Sequence, residues 1–355
     1  MGIHLNKTNK RRFKRIFTGI FLLAFISLSA TPGLAAYEGK RLIPMGNTVG
    51  INLQSEGVMV VGIPEVLTDG SSVSPARQAG LTMGDIITQI GSVHISTNED
   101  LKSAISRLDG SPVPVTVTRG SRVIQLVVTP HKTKEGRCEL GLWMRDGISG
   151  IGTLTFFDPE TGLFGALGHA VNDSETGVAI PLRGGSITRP SVTDVVQGKA
   201  GMPGQLHGTF NGDDVLGNLT KNTPNGIFGI MEKNDMMNGK TALPVADFSD
   251  MKTGPATILS NVSGTEVREY AVEIIRIYSG AEAVGRSMMI SVKDPQLIAG
   301  TGGIVQGMSG SPIIQNGKIV GAVTHVLIND PARGYGISIE NMLDAALSDA
   351  NKKAA

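Results

Sequence analysis

The stretch that decides the fold is Gly302-Gly-Ile-Val-Gln-Gly-Met-Ser-Gly-Ser-Pro-Ile-Ile314, followed by Gln315-Asn-Gly-Lys318 and Ile319-Val-Gly-Ala-Val-Thr324. A serine between glycines here precedes a strand, a hairpin turn and a second strand. Glycines beside a nucleophile let the backbone fold back, so the N–H groups of Gly307 and Ser309 can point at one carbonyl oxygen. The pattern indicates a nucleophilic serine whose oxyanion hole is formed by these two amides.

Residues 307–312 resemble the Gly-x-Ser-Gly-x-Pro serine loop of chymotrypsin-like peptidases, which implies Ser309 rather than Ser311 as the nucleophile. A serine hydroxyl needs a base to remove its proton, and histidine is the usual base near neutral pH. His169, in Gly165-Ala-Leu-Gly-His169-Ala-Val171, lies upstream of the serine, which is the order of chymotrypsin-like folds. His325, 16 residues after Ser309, is a less favoured candidate on a strand that would line the substrate groove.

The acid that would orient the histidine cannot be chosen by spacing. The candidate aspartates upstream of the serine are Asp213, Asp214, Asp235, Asp247, Asp250 and Asp294. A metal site is not expected, because the chain has one cysteine, Cys138, and its six histidines show no metal-ligand spacing. We therefore expect acyl transfer without a metal or an organic cofactor.

Composition narrows the fold further. A length of 355 residues predicts two domains or three small ones, and 40% apolar with 18% charged residues argues against wholesale disorder. The 47 glycines and 4% aromatic residues favour short strands joined by tight turns over a helical bundle. A net charge of +1 argues against a nucleic-acid-binding protein, which normally carries a concentrated basic face.

Residues 1–36 have the features of an export signal. Six lysines and arginines within 7–15 precede an almost entirely apolar run at 16–30, and small residues end at Ala36. This run is shorter than the roughly 20 residues that span a bilayer comfortably, so cleavage after Ala36 and retention as an anchor are both open. The part after residue 36 is predicted to be exported.

Residues 41–130 are predicted to form a module of short strands with two helices, a short one near the start of 74–87 and one at 98–108. The stretch SPARQAGLTMGDIITQI, at 74–90, closely resembles PDZ domains of the bacterial protease-associated type. In that family a peptide adds as a strand at a sheet edge, and N–H groups of a glycine-containing loop hold its C-terminal carboxylate. The resemblance places this loop at Val49, Gly50, Ile51, Asn52 and Leu53; the alternative is a plain strand entry in a spacer module.

The polar and charged residues 131–146 are predicted to be a linker, and residues 147–355 a second domain of strands and turns. Only 340–350 has helical spacing, with Met342, Leu343, Ala346 and Leu347 on one face. The predicted fold is mainly β: a PDZ domain followed by a chymotrypsin-like double β-barrel serine peptidase domain with a C-terminal helix.

Two longer motifs follow the PDZ module: GIGTLTFFDPETGLFGALGHAV at 150–171 and TGGIVQGMSGSPIIQNGKIVGAVTHVLINDPARGYGI at 301–337. Together these features resemble the stage IV sporulation protein B (SpoIVB) family of serine peptidases, from about residue 37 to 350. Carried over by position, the resemblance implies His169 as the base, Ser309 as the nucleophile and Asp294 as the acid, although Asp294 departs from the usual triad spacing.

The resemblance also implies a place in sporulation. It implies an enzyme exported into the space between the forespore membranes, which is anchored before processing and cleaves itself near the N-terminus. It further implies cleavage of the extracytoplasmic part of a membrane-bound regulator, which releases an intramembrane protease and activates a late mother-cell sigma factor. The expected partners are these protein substrates, a peptide at the PDZ domain and the membrane through the N-terminal segment, with no nucleic acid.

Two other functions stay open on the residues alone. One is a PDZ adaptor whose C-terminal barrel is a catalytically inactive docking domain. The other is an enzyme that is silent until the PDZ domain is engaged. Glycines on both sides of Ser309 favour an active enzyme, because a docking surface does not require them.

Overall fold

The structure, a computed structural model, describes residues 37–67, 72–133, 135–280 and 285–348; the side chains of 190–192 and 210–213 are not among them. The export signal predicted at 1–36 lies outside the described residues. The chain divides into two units, Met1–Glu38 and Gly39–Ala355, and every element below belongs to the second. None of the described helices is both long enough and apolar enough to cross a membrane.

After the strands β1 (Arg41–Pro44) and β2 (Thr48–Gly62), the chain builds a small domain of short strands and two helices. Its elements are β3 (Val66–Leu67), β4 (Ser72–Val73), α1 (Pro75–Gln78), β5 (Ile86–Ile90), β6 (Val93–His94), α2 (Asn98–Ser106), β7 (Val113–Arg119), β8 (Arg122–Val128), β9 (His131–Lys132) and β10 (Cys138–Glu139). The strand order is β2–β5–β7–β8, and the buried side chains of β7 pack with Leu101 and Ala104 of α2.

The next strands form the first of two barrels. They are β11 (Trp143–Phe157), β12 (Leu163–Ala166), β13 (Leu182–Val196), β14 (Gln205–Thr223), β15 (Gly226–Met231) and β16 (Leu243–Pro244). Pairing runs β11–β12–β15–β14–β13–β2, and β2 pairs back with β11, which closes a ring of six strands. Leu53, Phe164 and Ile187 are fully buried in its core, and burial of each such side chain contributes about 1.5–3 kcal/mol.

The second barrel is closed in the order β17–β18–β19–β22–β21–β20. Its strands are β17 (Gly254–Ser260), β18 (Arg268–Ile277), β19 (Met288–Val292), β20 (Pro312–Gln315), β21 (Lys318–Leu327) and β22 (Asp330–Ser338). Helix α3 (Pro295–Thr301) follows β19, and helix α4 (Ile339–Leu347) follows β22 and buries Met342 and Leu343. The predicted mainly β fold with a double barrel and a C-terminal helix is confirmed.

The small domain is inserted into the first barrel rather than placed before it. Residues 48–55 of β2 lie between β11 and β13 in the barrel, whereas residues 58–59 of the same strand pair with β5 in the small domain. β1 also pairs with β11 and β16 of the first barrel. The predicted boundaries at 41–130 and 147–355 therefore separate strands that the fold keeps together.

The predicted carboxylate-binding stretch, Val49, Gly50, Ile51, Asn52 and Leu53, lies in the barrel half of β2. These residues pair with residues 148–152 of β11 on one edge, and residues 50–53 pair with residues 185–188 of β13 on the other. A peptide adds as a strand only at a free sheet edge. The prediction is wrong for this stretch, because sequence resemblance does not show which strands flank a segment.

Residues 131–133 and 135–146, within the segment predicted to be a linker, are part of the folded structure. β9 and β10 form a hairpin, and Cys138 and Leu140 are buried. Residues 143–145 of β11 pair with β2 at the edge of the small domain. The polar composition that suggested a linker belongs to the exposed side chains of this hairpin, among them Lys132 and Arg137.

The insertion predicts that the peptidase half of the chain does not fold alone. Fragment 131–355 lacks β2, so its first barrel is an open ring, and we expect no cooperative thermal unfolding by circular dichroism. By contrast, Gln54 and Gly147 are cross-strand neighbours, so replacing residues 56–145 by Asn-Gly should join β2 and β11 through a two-residue hairpin turn. This shortened chain is the matched control and should unfold cooperatively. A cooperatively folded 131–355 fragment would contradict the insertion.

Candidate active site

A cleft of about 450 Å³ lies where the two barrels meet. It is lined by Ile151 of β11, His169 after β12, Ser309 before β20 and His325 of β21. Two side chains that are 140 positions apart in sequence, the predicted base and the predicted nucleophile, therefore share one cleft. Gly307, the other predicted oxyanion-hole residue, also lines it.

Four consecutive carbonyl groups of the serine loop are held by hydrogen-bond donors. The bonds, donor first, are Leu206 N to Gln306 O (2.9 Å), Thr153 Oγ1 to Gly307 O (2.7 Å), Ser311 N to Met308 O (3.0 Å) and Thr153 N to Ser309 O (2.9 Å). Each bond fixes the plane of one peptide group. The loop backbone is thereby held along its whole turn.

The N–H groups of Gly307 and Ser309 take no part in these hydrogen bonds. Neither N–H group donates to an acceptor among the described residues, and both residues line the cleft. Fixed amide donors that meet an oxyanion in a water-poor site are worth about 2.7–4 kcal/mol each in the transition state. The loop has the arrangement that an oxyanion hole requires.

Glycine is needed at two points of this loop. Gly307 and Gly310 have φ of +100° and +99°, a region that residues with a side chain rarely adopt. At Gly310 a Cβ atom would lie 1.9 Å from the backbone oxygen of Thr153, because β11 passes directly beside it. The glycines that the sequence analysis singled out thus serve both the turn and the close contact between barrels.

The Ser309 hydroxyl donates a hydrogen bond to the carbonyl of Thr324, at 2.7 Å. Thr324 immediately precedes His325 on β21, so the nucleophile rests against the strand that lines the cleft. A catalytic hydrogen bond is often absent from a substrate-free site and forms when substrate binds. A base in the cleft can take this proton only after the hydroxyl has turned away from the Thr324 carbonyl.

His169 lies in a tight turn after β12. Leu167, with φ of +67°, and Gly168, with φ of +72°, bend the chain so that the imidazole reaches the cleft. A non-glycine residue in this left-handed region is strained, and such strain is common at functional sites. The ring Nδ1 lies 2.8 Å from the carbonyl of Ala170 and donates to it, which places the proton on Nδ1 and leaves Nε2 as the acceptor.

Burial lowers the pKa of His169 to about 4, with a smaller lowering from nearby His325. The two imidazole rings lie 4.8 Å apart between centroids, and burial lowers the pKa of His325 as well. Both rings are therefore neutral at neutral pH. A neutral His169 with a free Nε2 is the form that can accept the serine proton.

Asp294 does not join this site in the structure. It is the N-cap of α3, where its carboxylate accepts hydrogen bonds from the N–H groups of Gln296 and Leu297, at 2.9 and 3.0 Å. The Nδ1 of His169 is instead occupied by the Ala170 carbonyl. The structure does not bring Asp294 into the cleft, since an aspartate before a proline at a helix start is a typical cap. Its role as the acid that orients the histidine stays a prediction.

The other candidate acids whose side chains are described also lie outside the cleft. Asp214 and Asp235 pair with Arg189, and Asp250 pairs with Lys318. No carboxylate is among the described side chains that line the cleft. Among all the described residues, no three histidine, cysteine, aspartate or glutamate side chains lie close enough together to hold a metal ion.

Sequence reasoning missed Thr153. Its hydroxyl and N–H both bind the serine loop, but it stands 156 positions before Ser309 in a run of alternating strand residues. The sequence offers no signal that separates it from Thr155, which stands in the same apolar run, and the full burial of both residues is visible only in the structure.

Two closed six-stranded barrels, with a glycine-flanked serine and a histidine in the cleft between them, define a serine peptidase of the chymotrypsin-like class. The family model for SpoIVB peptidase S55 matches residues 136–343, more than half of the chain. The chain therefore belongs to the SpoIVB peptidase S55 family. A PDZ domain model matches residues 49–129.

Individual relatives are more distant. A protein described as a zinc metalloprotease (BH06270) in Bartonella henselae is 32% identical over 92 residues, which are 26% of this chain and 25% of that protein. The zinc metalloprotease RasP of Shouchella clausii is 26% identical over 171 residues, which are 47% of this chain and 33% of that protein. The chain thus spans a quarter to a third of the length of these curated relatives.

Solved structures show weak likenesses. The Rv3671c protease from M. tuberculosis, in its active form, is 17% identical with a TM-score of 0.34, covering 58% of this chain and 75% of that chain. The PDZ domain of the SdrC-like protein (Lmo2051) from Listeria monocytogenes is 24% identical with a TM-score of 0.21, covering 26% of this chain and 90% of that chain. Likenesses this weak do not assign the chain to a class. Its membership of the SpoIVB peptidase S55 family follows from the family model, and its chymotrypsin-like class follows from the two barrels.

The lowered pKa of His169 predicts an unusual pH profile. The neutral ring is the active form, so kcat/KM should stay near its plateau as pH falls to about 5 and drop only near the pKa of about 4. Peptide hydrolysis should be followed from pH 8 to 4, with intrinsic fluorescence at each pH to verify folding. The variant His325→Asn removes the second imidazole and its small lowering of the His169 pKa, so its acid limb should move slightly upward and stay well below the ordinary histidine value. A midpoint near the ordinary histidine value would contradict the burial described here.

Proposed function

We propose that this chain is an exported serine endopeptidase that cleaves peptide bonds by acyl transfer, with Ser309 as the nucleophile and His169 as the general base. The observation that carries the proposal is the convergence of three features on one cleft. They are the serine hydroxyl, a neutral histidine with a free Nε2, and two unpaired amides on a fixed loop.

The chemical steps follow from these groups. His169 Nε2 takes the proton of the Ser309 hydroxyl as its oxygen attacks the peptide carbonyl carbon. The oxygen of the tetrahedral intermediate becomes negative and is stabilised by the N–H groups of Gly307 and Ser309. The protonated His169 then gives its proton to the leaving amine, and the peptide C–N bond breaks.

A second half-reaction restores the enzyme. Water loses a proton to His169 and attacks the acyl ester, and the same two amides stabilise the new oxyanion. The ester bond to Ser309 then breaks, and Ser309 regains its proton from His169. The carboxylic acid product leaves and gives its proton to solvent. The Ala170 carbonyl keeps the Nδ1 proton in place throughout, which orients the ring without a charged acid.

The biological setting of the proposal rests on family membership. As a member of the SpoIVB peptidase S55 family, the chain is proposed to act in sporulation, outside the cytoplasm between the forespore membranes. Its proposed substrates are its own N-terminal region and the extracytoplasmic part of a membrane-bound regulator of an intramembrane protease. The signal-like residues 1–36 support export and anchoring before processing.

The cleft suggests the substrate class. Most of its side chains are apolar, among them Ile304, Val305 and Val326. Besides the two histidines, the polar side chains are the uncharged Asn172, Gln306, Ser309 and Thr324. No acidic or basic side chain among the described residues of the cleft could pair with a charged substrate group. We therefore propose that the residue next to the cleaved bond is apolar.

Replacing Ser309 by alanine is expected to abolish self-cleavage and peptide cleavage and to leave the fold intact. Labelling by a fluorophosphonate, which marks an activated serine, should disappear with it. The matched control is Ser311→Ala, because Ser311 is fully buried and its hydroxyl makes no hydrogen bond. Labelling and turnover of this variant should stay within about twofold of the wild type. A buried hydroxyl without a hydrogen-bond partner adds no stability, so its removal should leave the fold unchanged.

Mass spectrometry of the wild type, Ser309→Ala and Ser311→Ala gives the cleavage sites directly. Turnover by Ser309→Ala, or an unlabelled wild type, would contradict the proposal. The second result would favour the inactive docking domain instead.

Cleavage of a peptide library should show the preference for apolar residues. Burying an unpaired charge costs at least about 3 kcal/mol, so peptides with Asp or Lys next to the bond should be cut about 100-fold less efficiently than those with Val, Ile or Leu. Ile328→Asp, at the exposed rim of the cleft, should raise the relative cutting of lysine-containing peptides. Val123→Asp, on exposed β8 of the small domain, is the control and should not. Equal cutting of charged and apolar peptides would contradict the assignment.

A further inference from the structure

Thr153 connects the first barrel to both halves of the active site. It lies on β11 opposite Thr48 of β2 and is fully buried. Its side chain donates to the Gly307 carbonyl at 2.7 Å, and its N–H donates to the Ser309 carbonyl at 2.9 Å. Its own carbonyl accepts from Leu167 N–H at 3.2 Å, two residues before His169. One residue therefore touches the nucleophile loop and the turn of the base.

Formation of strand β11 does not require the hydroxyl group of Thr153. Both backbone groups of Thr153 are bonded, and valine has the same branched shape and an equal preference for strands. Two residues further along β11, the buried hydroxyl of Thr155 makes no hydrogen bond. The two threonines thus differ in whether the hydroxyl has a partner.

The partner of the Thr153 hydroxyl matters because of its place in the loop. The peptide group between Gly307 and Met308 is held at both ends, by the Thr153 hydroxyl on its carbonyl and by the bond of Met308 N–H to Val305 O at 3.1 Å. The Cα atom of Gly307 joins this group to the peptide that carries the Gly307 N–H. That peptide is itself held by Leu206 N–H on the Gln306 carbonyl, at 2.9 Å. Because glycine has no side chain to limit rotation about its Cα atom, the Thr153 hydroxyl is needed to hold the peptide plane on the other side of Gly307.

We propose that Thr153 is a positioning residue for the oxyanion hole: its hydroxyl holds the Gly307 carbonyl so that the Gly307 N–H stays directed at the developing oxyanion. This inference rests on the proposed function, since it assigns a role within the acyl-transfer site. The residue acts through the loop and does not touch substrate.

The test compares Thr153→Val, Thr153→Ser, Thr155→Val and Ser309→Ala in the full chain. Thr153→Val keeps the shape and removes the donor, so kcat should fall about 10- to 100-fold with KM within twofold. That is less than the loss of about 100- to 1000-fold caused by removing an oxyanion donor itself. Thr153→Ser restores the hydroxyl and should return kcat to within about threefold of the wild type. Thr155→Val should match the wild type.

A second measurement separates positioning from general damage to the fold. A peptide aldehyde forms a tetrahedral adduct with the serine and needs the oxyanion hole, so its inhibition constant should rise for Thr153→Val by the same factor as kcat falls. Thermal unfolding of all variants is recorded in parallel. If Thr153→Val does not fold, Thr153→Ala takes its place with the same expected results.

The outcomes separate the two proposals. The proposed positioning role of Thr153 is rejected if Thr153→Val, or Thr153→Ala in its place, has the same kcat and aldehyde inhibition constant as Thr155→Val. It is also rejected if Thr153→Ser does not recover kcat. In both cases the serine mechanism stands. If Ser309→Ala still turns over substrate, the proposed function itself fails.

Discussion

The antiparallel pairing of β2 with β11 is the constraint on which the rest of the structure depends. Both strands are 15 residues long, and their partners run from Trp143 opposite Gly62 to Thr153 opposite Thr48. One end of the pair belongs to the sheet of the small domain, and the other end closes the first barrel. A shift of one residue would turn every side chain to the opposite face, so the buried residues of both domains fix a single register.

The pairing of β2 with β11 positions the residues of the active site. Thr153 stands at its barrel end and holds the serine loop of the second barrel through two hydrogen bonds. The same residue accepts the bond that fixes the turn before His169. The nucleophile and the base come from different barrels, and the PDZ domain is continuous with the strands that position them.

The site depends on backbone dipoles rather than on ion pairs. Its oxyanion donors are two peptide N–H groups, its histidine is oriented by a backbone carbonyl, and its nucleophile rests on another carbonyl. Dipoles fixed by the fold need no reorganisation during the reaction, and they act strongly in an apolar cleft where water is scarce. Such a site keeps the histidine neutral, since burial disfavours its charged form.

The sequence by itself determined the chemistry of the protein and its mainly β fold, because those properties are local. A serine between glycines, an upstream histidine in a tight turn and alternating apolar residues specify turns and strands over a few positions. Which strands pair is not local. Only the tertiary structure decided that residues 49–53 lie inside a barrel, that Asp294 caps a helix, and that Thr153 rather than Thr155 reaches Gly307. The cap is local, but the place of its helix in the fold is not. The first and last of these outcomes depend on contacts between residues roughly a hundred positions or more apart, whose energies no short motif contains.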